Sequence, residues 1–484
     1  MRKIIYKNLA LFVVLMGVVS SCKIGKVAFE DTTTNLPSNY LHPEQDSVQT
    51  AAVLNWEEYF EDEQLKSLIR FALENNQDNL KTLERIKIAR ANLRMARLSL
   101  LPNINAMAGA ARTRFGEYTM DGVGNADSNL SPTVPADKKI PDPYRDFMLG
   151  ADFNWEVDVW GRLRNQKKAA AQRYLASEEM ANYVKTWLIS EVAASYYHMV
   201  ALDEELRILD ENIRLQELAL KLTRDLKESG KENQLAVDQF EAFMLNSKAL
   251  LVAKQRELRA VELHVSALTG TYQLEHPRLK IQEIPSVMES LRLGIPSQLL
   301  LYRPDVRMAE RELMATRADV MSARAAFFPS FNLYGMAGFN AFDFSRLFLN
   351  PASTVYQLGA GLVAPVFNRY QLRAAFETAN ASQRIAYYDY EQTVLKSYLE
   401  VLNLVNEFKT YDEQLQLKTY EVEVQKRSVD NSNTMFMVGY ANYLDVLNAQ
   451  TRALQAQIEL IELKSQQLQS RVRLYRALGG GWTN

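Results

Sequence analysis

Hydrophobic residues recur along this chain with two periods, and each period predicts a different element. Over 202–226 the spacing is helical but falls on two faces. Leu202, Leu206, Leu209, Ile213 and Leu220 form one stripe, and Ile208, Leu215, Leu218, Leu222 and Leu226 form a second, about 140° away at ~100° per residue. Asp210, Glu217, Lys221, Arg214 and Arg207 fill one arc between the stripes, and Glu205, Asn212 and Gln216 the other. Two separated seams predict a helix with neighbours on both sides and water on its two remaining faces. An isolated antiparallel coiled coil would need only one seam. Leu447, Leu454, Ile461 and Leu468 recur at sevens and predict a coiled-coil seam on the last helix.

Glycine and proline are absent from 162–229, 231–269, 366–438 and 440–478, and also from 57–101 and 305–328. Such stretches predict long helices, reaching about 100 Å for the first at 1.5 Å per residue. Between them the period falls to two. Phe147, Leu149, Ala151, Phe153, Trp155 and Val157 alternate with Met148, Gly150, Asp152, Asn154 and Glu156. Tyr356, Leu358, Ala360, Leu362 and Ala364 alternate with Gln357, Gly359 and Gly361. With 103–112 after Pro102 and 330–340 after Pro329, and with the last strand read as 355–364, the pattern predicts four strands of about the length that crosses an outer membrane.

The elements come twice, in the same order. At an offset of 227, Arg90, Ala91, Ala96, Arg97, Pro102, Asn105 and Ala110 fall on Arg317, Ala318, Ala323, Arg324, Pro329, Asn332 and Ala337. At an offset of 209, Leu149, Gly150, Ala151, Gly230, Leu235, Val237 and Gly270 fall on Leu358, Gly359, Ala360, Gly439, Leu444, Val446 and Gly479. The chain is therefore read as a tandem duplication. The offsets differ by 227 − 209 = 18, so the first half carries an insertion between Phe115 and Arg145, whose Gly, Pro, Asp and Asn content predicts an exposed loop. The division expected is 1–21, 22–56, a first repeat over 57–270, a proline-broken connector over 271–303, a second repeat over 304–479 and a tail over 480–484.

At the N-terminus, Arg2, Lys3 and Lys7 precede an apolar run from Leu9 to Val19, which is the length of a signal-peptide core and too short to span a bilayer. Val19, Ser20 and Ser21 then lead into Cys22, the only cysteine. This junction resembles a bacterial lipobox. The resemblance implies covalent diacylglycerol and an N-acyl chain on Cys22 after removal of 1–21, with Lys23 favouring the outer membrane.

Composition narrows the function. Lys and Arg number 56 against 58 Asp and Glu, a net −2, so no nucleic-acid partner is expected. One cysteine excludes a disulfide framework, and His42, His198, His264 and His276 include no i, i+4 pair, so no metal site is read. Tyr196, Tyr197 and His198 lie together but read as packing and surface positions of a long helix. The residues group no nucleophile, base and orienting partner, and the chain is not read as an enzyme.

Four strands cannot close a barrel, and an open edge in lipid leaves backbone groups unpaired. Several chains must then contribute to one barrel, and three chains with twelve strands would leave a lumen.

Four segments in order resemble the TolC-like outer-membrane factors, in the lipoprotein branch of resistance-nodulation-division efflux systems. They are Leu299–Gly338 (LLLYRPDVRMAERELMATRADVMSARAAFFPSFNLYGMAG), Trp155–Arg164 (WEVDVWGRLR), Met437–Gln450 (MVGYANYLDVLNAQ) and Tyr475–Trp482 (YRALGGGW). The resemblance implies an α+β membrane protein: a homotrimer with a twelve-stranded outer-membrane β-barrel, continued by a long α-helical coiled-coil barrel in the periplasm, with a small mixed equatorial domain. The partners it implies are a periplasmic adaptor protein, an inner-membrane efflux transporter and outer-membrane lipid. No cofactor is expected beyond the lipid on Cys22.

It also implies helix-tip turns and adaptor docking at Gly230 and Gly439, and a tunnel gate nearby. The family's two lumen-facing aspartates fall on Asp445 and Asn448, leaving one ring of three carboxylates in a trimer. Its tyrosine falls on Phe436 and its arginine on Ala441, with Tyr440 between them, so the family's hydrogen-bonded latch lacks both partners here. Asp238 and Glu232 stand near the first-half tip. The functional reading is an exit duct that passively conducts drugs or small solutes. Polypeptide export by a type I secretion system and a non-conducting periplasmic coiled-coil lipoprotein are the alternatives.

Overall fold

The computed structural model describes residues 29, 36–37, 40, 50–272, 276–283 and 293–482. In chain order the main elements are α1 (Glu63–Asn75), α2 (Gln77–Leu98), β1 (Asn103–Thr113), α3 (Met120–Leu130), β2 (Tyr144–Val157), α4 (Arg162–Glu228) and α5 (Gln234–Thr269). They continue with α6 (Pro304–Ala325), β3 (Ser330–Ala341), β4 (Thr354–Val363), α7 (Gln371–Met437) and α8 (Tyr443–Leu478). The duplication is visible in the helix bounds themselves. Adding 227 to the ends of α2 (77, 98) gives those of α6 (304, 325). Adding 209 to α4 (162, 228) and α5 (234, 269) gives α7 (371, 437) and α8 (443, 478).

The chain divides into two compact units. The first, formed by residues up to 31, 89–174 and 313–386, holds the sheet. Its strands run antiparallel in the order β1-β2-β3-β4. The register gathers alternating apolar residues on one face. Ile104 pairs with Phe153, Ala108 with Leu149, Leu149 with Phe339, Trp155 with Leu333, and Gly335 with Leu358. The other face carries Asn103, Asn105, Asp152, Asn154, Glu156, Asn332, Asn340 and Gln357. There the Asn105 amide donates to Asp152 at 3.2 Å and the Asn340 amide to Asp146 at 2.6 Å. A one-residue slip would exchange the two faces, so the alternation pins the register. Gly150 and Gly338 sit opposite each other because neither has room for a side chain. A Cβ on Gly338 would lie 2.4 Å from the Leu149 carbonyl oxygen.

The insertion between β1 and β2 is more ordered than its composition predicts. It contains α3, capped by the Thr119 hydroxyl accepting from Gly122 N–H at 3.1 Å. The Asn129 side chain bonds both backbone groups of Ile140, and Asp137 pairs with Arg346 at 3.0 Å. Local side-chain bonds of this kind replace the hydrophobic core that so short a segment lacks.

The second unit comprises 32–88, 175–312 and 387–484. Its largest core cluster includes Leu65, Ile69, Leu188, Val192, Tyr196, Leu209, Val265, Val472 and Tyr475. A smaller one joins Tyr40 and Leu293 to Leu299, Val401, Leu404 and Leu478. Of the two stripes on α4, Leu202, Leu209, Ile213 and Leu220 are buried, as is Ile208, whereas Leu215, Leu218 and Leu222 lie open. On α8, Leu454 and Ile461 of the heptad seam are buried. One expected wet arc is covered. Glu205 and Gln216 are buried, and Lys254 of α5 reaches Glu205 at 2.8 Å. Burial pushes the Glu205 carboxyl above its ordinary range while Lys254 pulls it back. The Gly- and Pro-free stretch 57–101 is likewise two helices and not one. Asn76 adopts an extended conformation, its side-chain Oδ1 accepting from Asp78 and Asn79 N–H at 2.9 Å and its side-chain Nδ2 donating to Leu268 O at 2.8 Å.

Buried polar groups tie the irregular segments to the helices. Arg303 donates to Asp305, to Glu400 at 2.8 Å and to the Ala477 carbonyl at 2.8 Å. Tyr196, fully buried, donates to Asp62 and accepts from Leu279 N–H at 3.0 Å; burial and the Asp62 carboxylate raise its pKa. Trp482 donates to Tyr302 O at 2.8 Å, and Thr50 bridges to Leu293.

The ends of α4, α5, α7 and α8 share one device. Gly230, Gly270, Gly439 and Gly479 have φ of +75°, +66°, +85° and +99°. In each the glycine N–H and the next N–H close back on the last turn, as in Tyr440 N–H to Met435 O at 2.8 Å. The four differ in surroundings. A Cβ on Gly439 meets open space, whereas on Gly479 it would lie 2.5 Å from the Tyr302 carbonyl. Gly439→Ala is expected to cost about 1–2 kcal/mol from backbone conformation alone, and Gly479→Ala considerably more. Apparent melting temperatures in detergent check this, and equal losses would contradict it.

Candidate functional site

The two helix reversals belong to the second unit and are built alike. After Gly230, Asn233 caps α5 by accepting from Ala236 N–H at 3.0 Å. After Gly439, Asn442 caps α8, accepting from Leu444 and Asp445 N–H at 2.8 and 3.1 Å. The caps are equivalent, since 233 + 209 = 442. A glycine followed by an asparagine cap lets a helix end and another begin within six residues, without unpaired backbone at the turn.

The two halves differ at the third helical residue, which is Ala236 in one and Asp445 in the other. The Asp445 side chain accepts from Asn442 N–H at 2.9 Å, completing a capping box. It is exposed, and Asn448, one turn on, is exposed as well. Phe436 packs with Tyr443 and Leu447 against a cluster of Leu220, Val237, Phe240, Met244 and Val446. That cluster takes residues from α4, α5 and α8, so the two tips share one small core. Tyr440 is exposed, 82% of its surface being open. Phe436 lacks a hydroxyl and is turned into apolar contacts, and within the chain the reversal at Gly439 is held by packing and caps. The capping role of Asp445 is one that its position relative to Gly439 did not disclose; the Asn442-x-x-Asp445 spacing is the signal that carries it.

The remaining candidates lie elsewhere. Cys22 is outside the described residues, as is His42. Tyr196 and Tyr197 are buried in the main core, while His198 faces Glu257 at 3.3 Å. His264 faces Glu191 at 3.3 Å, and these four side chains line one cavity between α4, α5 and α8 with Gln469 and Arg473. Among the described residues no three His, Cys, Asp or Glu side chains are grouped to hold a metal ion.

Among the described residues of the first unit, β1 and β4 each pair on one side only. The sheet therefore presents an apolar face, a polar face and two open edges. Among the described residues no helix is long and apolar enough to cross a membrane.

The model of the outer membrane efflux protein family matches residues 68–271 and 295–480. The toluene efflux pump outer membrane protein TtgF of Pseudomonas putida is 32% identical, over 90% of this chain and 86% of that protein. The pyoverdine export outer membrane protein OpmQ of Pseudomonas aeruginosa is 31% identical, over 93% and 92%. A crystal structure of the transmembrane channel CusC superposes with a TM-score of 0.80 at 25% identity, covering 94% of this chain and 99% of that one. The match spans both repeats, so the whole arrangement of sheet and paired long helices is shared with these proteins. The chain belongs to the outer membrane efflux protein family and is a TolC-like channel component of the outer membrane.

Proposed function

We propose that three copies of this chain close a twelve-stranded barrel and form the exit duct of a tripartite pump, conducting drugs or small solutes passively. The observation that carries this is the four-stranded sheet with one apolar face, one polar face and two unpaired edges. In hydrocarbon, each unpaired backbone group costs several kcal/mol, so β4 of one copy must pair with β1 of the next. Eight strands make a barrel filled by side chains, whereas twelve leave room for water beside the polar face. The open stripe of Leu215, Leu218 and Leu222 on α4 is then covered by a helix of the neighbouring copy. A non-conducting periplasmic lipoprotein leaves the register of the sheet without a purpose. Polypeptide export uses the same architecture, and the lipobox favours the pump.

A periplasmic adaptor and an inner-membrane transporter supply the contacts and the energy that a passive tube lacks. The reversals at Gly230 and Gly439 are where the adaptor docks. The relatives move cargoes as different as toluene and pyoverdine, so the transporter and not the duct selects the solute. The reading includes no catalytic step. The Cys22 lipid adds a second hold on the membrane, at about 0.8 kcal/mol per buried CH₂. Asp445, repeated three times around the axis, lines the narrowest point and attracts cations.

Three measurements follow. Light scattering and negative-stain imaging of protein extracted in mild detergent should give a trimer with one membrane-embedded end; a monomer or dimer without a barrel would overturn the duct. Cys22→Ser should abolish acylation and leave uncleaved precursor, and normal processing would refute the anchor. Asp445→Asn preserves an oxygen for the Asn442 cap while removing the charge, so it should weaken cation block and cation selectivity in single-channel recordings without lowering the melting temperature. Asp445→Ala should change both, losing about 1 kcal/mol from the cap. Unaltered conductance and block in Asp445→Asn would remove Asp445 from the constriction.

A further inference from the structure

The segment between β1 and β2 is the largest difference between the two repeats, and it is a folded lobe with an unpartnered apolar face. On α3, Met120, Val123 and Leu130 fall within about 80° of one another at ~100° per residue. They are 88%, 57% and 82% exposed, and Tyr118 just before the helix is fully exposed. A surface loop gains nothing by ordering such residues toward water, and the lobe is ordered by its own bonds. Its Thr119 cap, the two Asn129–Ile140 bonds and the Asp137–Arg346 pair fix the helix where it stands.

The order of strands says what lies beside it. The lobe leaves β1, an edge strand, at Thr113 and returns to β2 at Tyr144. β1 and β3 run parallel, so the β3–β4 connection, 342–353, emerges at the same end of the sheet. When β1 pairs with β4 of the next copy, that copy's β3–β4 connection lies about one to two strand spacings, ~5–10 Å, from the end of β1. It carries its own exposed apolar pair, Phe348 and Leu349, 59% and 49% open. The intrachain Asp137–Arg346 pair ties the β2 side of the lobe to its own β3–β4 connection, leaving the β1 side, where α3 begins, toward the neighbour.

We propose that α3 is a clasp across the seam between copies, its Met120, Val123 and Leu130 packing on Phe348 and Leu349 of the adjacent copy at the end of the barrel. This rests on the trimeric duct reading. The occupant is a second copy of this chain and not an anionic lipid headgroup. α3 itself carries Asp121 and Asp127 and no lysine or arginine, and the whole lobe, 114–143, sets five carboxylates against Arg114, Lys138 and Lys139, a net negative charge that does not recruit phosphates. The contact is heterologous, one surface meeting a different one, so threefold rotation closes it into a ring.

The test is disulfide trapping in the full-length protein, extracted as assembled from outer membranes. With Val123→Cys and Leu349→Cys in one chain, oxidation should produce a covalently closed trimer on a non-reducing denaturing gel, while each single substitution should run as monomer. Val123→Asp should lower the temperature at which the trimer dissociates in detergent by several degrees. If light scattering shows a trimer and both cysteines react with a maleimide label, yet no cross-link forms, the clasp is wrong and the duct stands. If no trimer forms at all, the duct reading fails and the clasp fails with it.

Discussion

Backbone hydrogen bonding in a medium without water is the constraint on which the rest of this structure depends. A sheet of four strands can satisfy its inner ladders, but its two outer strands each keep a row of donors and acceptors that hydrocarbon cannot satisfy. In the proposed duct the chain is complete only as part of a closed ring of copies. Other features follow from the same demand. The alternation along each strand must hold through every pairing, and glycine faces glycine at Gly150 and Gly338, where the neighbouring backbone leaves no room for a Cβ. An apolar seam left open on α4 is intelligible only if another chain covers it.

The duplication explains how so long a chain repeats its geometry with little regular punctuation. Helix bounds in the two halves agree residue for residue, and the glycines at the four long-helix ends occupy equivalent positions with left-handed φ. Between equivalent positions the demands nevertheless differ. At Gly230 and Gly439 only the backbone angle calls for glycine, while at Gly270 and Gly479 neighbouring backbone leaves no room for a Cβ. The halves also diverge where function is read: Ala236 against Asp445 at the tip, and a folded lobe against a short connection beyond the strands.

The buried polar ties in the second unit belong to a different kind of determinant. Arg303, Tyr196 and Asn76 join segments 83 to 192 residues apart in sequence, through hydrogen bonds that a local pattern cannot announce. Each would be costly to leave unpaired in the core, so each holds the irregular segments to the long helices more specifically than apolar contact does. The family resemblance marked the segment around Arg303 without saying what that arginine does. Its bonds to Asp305, Glu400 and the end of α8 supply the reason.

Periodicity, together with the placing of glycine and proline, determined the long helices, the four strands and the tandem repeat, because burial on one side of a helix or strand imposes a spacing that survives in sequence. Gly230 and Gly439 stand between stretches free of glycine and proline, at the turns the family resemblance implies, since a left-handed turn between long helices favours glycine. Tertiary structure decided the rest. Glu205 is buried where Lys254 of α5 reaches over an arc that looks polar in sequence, and the break at Asn76 depends on a carbonyl 192 residues away. The ordering of the β1–β2 lobe depends on the Asn129–Ile140 and Asp137–Arg346 bonds. Pattern records which residues avoid water, whereas a hydrogen bond's partner depends on which distant segment arrives beside it.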